Sequence, residues 1–91
     1  MRSEPDKLLK KHQQLIQTDH QKVSSHVQRE KDGWILHTLM IEGCDVPFKF
    51  KRIQKYKSLK GQRVNLTYYA AVETVAGLEM DIFNVVRIKV S

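Results

Sequence analysis

Between Phe48 and Arg63 the chain reads FKFKRIQKYKSLKGQR, seven basic side chains in sixteen residues with no acid among them. Ammonium and guanidinium groups at this density do one kind of chemistry well. They neutralise the repeating charges of a polyanion and release its condensed counterions. A β-strand sets alternate residues on one side, about 7 Å apart. Lys49, Lys51, Lys55 and Lys57 share one parity, so on an unbroken strand they form a ladder close to the phosphate repeat of an extended single strand. Arg63, on the next strand, widens that track. Single-strand binders add aromatic platforms, because every base has a π-face, and Trp34 and Tyr69 are the candidates. The same lysines have a second explanation: charge on an exposed strand prevents edge-to-edge association and needs no ligand. Trp34 then becomes a core anchor. One criterion separates the readings: the stretch is a polyanion surface if, and only if, its lysines converge with an exposed aromatic.

Other chemistries find less support. His12, His20, His26 and His37 lack the short paired spacings of zinc sites, and one cysteine cannot complete a thiolate set. His37, between apolar neighbours on a strand, reads as a buried, hydrogen-bonded histidine, and His12 as a boundary residue of a helix. Cys44 with Asp45 has the residue types of a cysteine nucleophile but sits in a short turn without a family signature. No G-x-x-x-x-G-K-[ST] phosphate loop occurs. Glu79 and Asp81 are explained by a solvated strand face. The expectation is a protein with no catalytic residues, no metal and no cofactor.

The chain has 91 residues, 41% hydrophobic and 29% charged, which suits one globular domain with one modest core. The net charge is +6, and residues 46–72 hold seven basic side chains and no acid, whereas the remainder carries nine bases against ten acids. All of the excess positive charge lies in that one segment. The lone cysteine suits a reducing compartment. The N-terminal apolar residues are interrupted by KKHQQ, so neither a signal peptide nor a membrane span is expected, and a cytoplasmic protein is. Anionic membranes attract such charge, but no apolar wedge or lipid motif is present for stable anchoring.

The elements that must position these residues follow from periodicity. Ser3 and Asp6 form a capping pair, and Leu8, Leu9, His12, Leu15 and Ile16 recur at helical spacing, predicting a helix over 4–17. It is too short to stand alone, so it is expected to cover the barrel. A weak strand is expected over 20–30, a hairpin turn at Asp32-Gly33, and a central strand over 34–41, apolar on both parities. Alternation continues over 46–56, blurring at Arg52-Ile53, and again over 63–69. AAVETVAG is a loop or a strand extension ending in a glycine turn. Leu78, Met80, Ile82, Val86, Ile88 and Val90 share one parity on a strand of thirteen residues, long enough to curl between two neighbours.

One helix and five strands with short turns predict a closed or half-closed barrel over about 20–90, because closure removes exposed edges. SLKGQRVNLTYYAAVETVAGLEMDIFNVVRIKV resembles the last two strands of an OB-fold, in which a leucine and KGQRV lead into strand four and a long strand five closes the barrel. Two features depart from that family: few residues stand between strands three and four, where it places a helix, and the expected helix comes first. A leading helix with bent strands also resembles Sm-like barrels, without their glycine and acidic signatures, and a five-strand meander resembles SH3-like barrels. The fold expected is therefore mainly β: one N-terminal helix packed on a five-stranded, mostly antiparallel, OB-like barrel, a single domain over 1–91. The resemblance implies a ligand face on strands two and three. The function expected is non-enzymatic binding of single-stranded DNA or RNA with little sequence preference through Lys49, Lys51, Lys55, Lys57, Arg63 and Trp34 or Tyr69. The competing expectation is a protein-interaction module that uses Val72, Val75 or the helix face.

Overall fold

The computed structural model of the chain describes residues 14–91. Five strands follow in order: β1 (Ile16–Lys31), β2 (Trp34–Ile41), β3 (Phe48–Arg52), β4 (Arg63–Val75) and β5 (Leu78–Val90). They close into a barrel in the order β1-β2-β3-β5-β4, with β4 returning to β1. Four of the pairings are antiparallel; β3 and β5 run parallel through Phe48↔Phe83 and Lys49↔Asn84.

The expected N-terminal helix is corrected. No helix occurs among the described residues. Ile16, Gln17 and Thr18 instead pair with Tyr68, Thr67 and Leu66 of β4. The reason is closure: without this segment the hydrogen-bonding edge of β4 would stay open, and backbone pairing outweighs a helical spacing of apolar side chains. Leu15 and Ile16, assigned to a buried helix face, are exposed at 60% and 40%. Leu8, Leu9 and His12 lie outside the described residues.

Long strands serve two neighbours each. β1 pairs with β4 over Ile16–Lys22 and with β2 over Val23–Lys31. Its register shifts at Thr18/Gln21, where His20 takes φ 57°, and again at Val23/Ser25. Extra residues at such shifts bend a strand and raise its twist, which lets sixteen residues wrap a small barrel. The β1–β2 and β4–β5 hairpins turn on Asp32-Gly33 and Ala76-Gly77, each pair with positive φ at both positions. That two-residue geometry matches the twist of the flanking strands and favours glycine at the second position.

Val23, Leu39, Ile41, Phe48, Phe50, Val64, Leu66, Tyr68 and Val85 form the core. Alternation is strict on β2, where Ile35, His37, Leu39 and Ile41 point inward, while Leu36, Thr38 and Met40 are half-buried outside. The shared parity expected along β5 is broken. Thr67 faces Arg87 and Tyr68 faces Val85, so Val86 is the extra residue of a bulge. Phe83 and Val85 consequently pack on the core, and Ile82, Asn84 and Val86 take the opposite side, where Ile82 is buried and Val86 exposed. Beyond the barrel, β4 and β5 stay paired to Val75↔Leu78, a two-stranded arm. No helix among the described residues is long and apolar enough to cross a membrane.

Candidate functional site

The outward side chains of β3 are Lys49 and Lys51, between β2 and β5. Register places Lys49 opposite Thr38 on one side and Asn84 on the other, and continues to Val27 on β1 and Tyr69 on β4. One row thus crosses all five strands. The next row sets Arg29, Leu36 and Lys51 side by side. A groove of about 540 Å³ runs along this face, with Arg29, Leu36, Lys49, Lys51, Tyr69 and Glu73 among its lining residues.

Lys51 also lines a second recess, with Trp34, Arg52, Ile53, Gln54 and Tyr56. Trp34 stands outside the barrel, 44% exposed, and Lys51 Nζ lies 5.9 Å from its ring centroid. That is the outer limit of a cation–π contact. The lysines therefore meet two aromatics on one face, Lys51 at Trp34 and Lys49 in the groove with Tyr69. Two of the four ladder lysines, Lys49 and Lys51, thus share a face with an aromatic side chain.

Other members of the basic stretch lie elsewhere. β3 ends at Arg52, so Lys55 and Lys57 do not extend the strand ladder. They sit, exposed, on the connection 53–62. Tyr56 and Leu59 of that connection pack against the core, and the Tyr56 backbone is held by both ends of the Gln28 amide, at 2.7 and 2.8 Å. Arg52 donates to the Lys51 carbonyl at 2.7 Å and lies over the Phe50 ring. Arg63 opens β4 beside Lys22 and donates to the His20 carbonyl at 3.0 Å. It is six residues from Tyr69, about 20 Å along the strand, so the structure does not bring it into the groove.

Three groove residues were not singled out from the sequence. Arg29 comes from the weakest-looking strand, and only the register shows that it stands beside Leu36 and Lys51. Asn84 donates to the Tyr69 hydroxyl at 3.3 Å; its signal was a polar residue inside an apolar strand. Glu73 reaches from the arm to Lys49, Oε1 to Nζ 2.5 Å, with both side chains about one-third exposed. Glu79 and Asp81 are exposed, on the arm face away from Glu73, since Glu73 pairs with Met80 and Val72 with Asp81.

No protein-family model matches the chain, and neither a curated protein nor a solved structure does. The site is an open, basic groove with aromatic groups at two of its margins and one carboxylate on its edge. Such a surface can hold a chain of anions while stacking planar rings.

Proposed function

We propose that the protein is a non-enzymatic binding module for single-stranded nucleic acid with little sequence preference, built on an OB-like barrel. The observation that carries this reading is the convergence of Lys49 and Lys51 with exposed Trp34 and with Tyr69 on one outer face. The OB-like assignment is supported by the closed five-strand order and by the place of the groove, since such barrels take oligonucleotides on strands two and three. A reducing, cytoplasmic setting belongs to the same proposal and rests on Cys44 being free.

The test is binding of fluorescent poly-dT and poly-U across a salt series. On a single strand each phosphate contact contributes about −0.7 to the slope of log K against log salt. Arg29, Lys49 and Lys51 alone predict a slope of about −2, whereas adding Lys55 and Lys57 from the connection predicts about −3.5. Reversing Lys49 and Lys51 to Glu is expected to abolish binding at moderate salt. No binding by the unmodified protein even at low salt would overturn the reading.

A second reading is favoured by the arm. Val72, Val75, Leu78 and Met80 are about half exposed or more, an apolar tip that suits a protein partner. Asp at Val72 and Val75 separates the two: it abolishes such a contact and spares oligonucleotide binding.

A further inference from the structure

Behind the groove, two histidines form a hydrogen-bonded chain whose polarity the backbone dictates. The Leu59 amide can only donate, and it donates to His26 Nδ1 at 3.0 Å. A neutral His26 must then carry its proton on Nε2. That nitrogen lies 3.0 Å from His37 Nδ1, so His37 accepts there and carries its own proton on Nε2. His37 is 1% exposed, and its Nε2 has no hydrogen-bond partner. The chain runs from Leu59 through His26 to His37, whose ring has the Gln54 carbonyl nearby but no acceptor within hydrogen-bond geometry of its Nε2.

Every lone pair in this chain is occupied, so an added proton has nowhere to go without conflict. On His26 Nδ1 it faces the Leu59 N–H. On His37 Nδ1 it faces the His26 Nε2–H, and moving that proton to Nδ1 transfers the clash to Leu59. Either way two donors meet head to head, and the contact that breaks is the one at Leu59, while the Gln28–Tyr56 pair and the Val23 bonds to Gly61 and Gln62 still tie the ends of the connection to β1.

We propose that His26 and His37 form a proton-operated clasp, which holds the middle of the connection 53–62, at Leu59, on β1 while both rings are neutral and releases it there when one is protonated. Burial holds both imidazoles below their ordinary range; at His37 the Gln54 carbonyl opposes this, and the charges of His26 and Arg52 add to it. The titratable or charged groups facing the pair are each other, Arg52 from β3 and Tyr56 from the connection, whose ring centroid lies 4.6 Å from that of His37. Among the described residues no carboxylate acts on either ring. Phe50 stacks on His37 at 4.6 Å, with ring planes 2° apart, which fixes that ring against rotation to a new acceptor. Leu59 stands between Lys57 and Lys60, so acid loosens the backbone that carries these two cations.

Two measurements on the unmodified protein test this. Ring-nitrogen NMR at a pH of about 7.5 is expected to find the Nε2–H tautomer at both histidines; Nδ1–H at His26 overturns the clasp. Amide exchange, corrected for its intrinsic pH dependence, is expected to show Leu59 losing at least about tenfold protection between pH about 7.5 and 5, while Leu39 and Leu66 keep theirs. No loss at Leu59, or an equal loss at all three, overturns it. His26→Gln supplies a side-chain oxygen for Leu59 and an N–H for His37 without titrating, and is expected to shrink the drop below about threefold. A full tenfold drop in that variant counts against the clasp. If the variant does not fold, the tautomers and the exchange of the unmodified protein decide.

Discussion

Trp34 shows how much depends on which way one side chain points. Its residue type suits a core, yet its partner across the hairpin is Lys31 and its parity is that of Leu36 and Thr38, so it stands outside beside Lys51. An indole in that place can stack a base while the ammonium meets the adjoining phosphate. Stacking of one base is worth about 1–3 kcal/mol and releases no counterion. Trp34→Ala is therefore expected to weaken oligonucleotide binding by that amount at every salt concentration, leaving the salt slope unchanged. Its exposure keeps the effect on folding within about 0.5 kcal/mol. A changed slope would mean that the ring positions Lys51, and unchanged affinity would remove Trp34 from the site.

At the scale of elements, the arm governs the groove. Glu73 reaches Lys49 only because β4 and β5 stay paired beyond the barrel. The ion pair is part-exposed and so contributes at most about 1 kcal/mol to stability, but it occupies a cation that the proposed function needs. Glu73→Gln is expected to raise oligonucleotide affinity several-fold and to steepen the salt slope by about 0.7, the effect of one further phosphate contact. The titration that measures the unmodified protein reads both. No change in either quantity would show that the carboxylate does not compete for Lys49. The arm was half legible in the sequence. β2 and β5 were read to the residue because their apolar runs are bounded by turns, and AAVETVAG was read as a loop or a strand extension. The bulge at Val86 was not legible, because no glycine marks it and its position depends on the register with β4. The helix expected over 4–17 fails at Ile16–Gln17 for a related reason: apolar spacing describes a local preference, whereas the need of β4 for a partner is set by strands some fifty residues away.

Over the whole molecule, the buried histidines link stability to pH. A free imidazole has a pKa of about 6.5, and burial lowers both His26 and His37 below it in the folded protein. Below a pH of about 6.5 the unfolded chain therefore binds protons that the folded chain refuses, and stability falls as pH drops. Above that value both states hold neutral rings, and the full contribution is present. Acid also adds charge to a chain already at +6, so general repulsion would lower stability too. His26→Gln distinguishes these causes, because it removes one depressed imidazole while the charge of residues 46–72 is untouched. Urea unfolding is expected to show a midpoint that falls between pH about 7.5 and 5.5 in the unmodified protein, and falls less in the variant. Equal slopes in the two would assign the loss to repulsion among the basic side chains. A histidine between apolar strand neighbours was legible as buried and hydrogen-bonded, and His37 is both. Its partner His26 was not, because that pairing follows from where β1 crosses β2 and where the connection lies, and neither leaves a mark on local spacing.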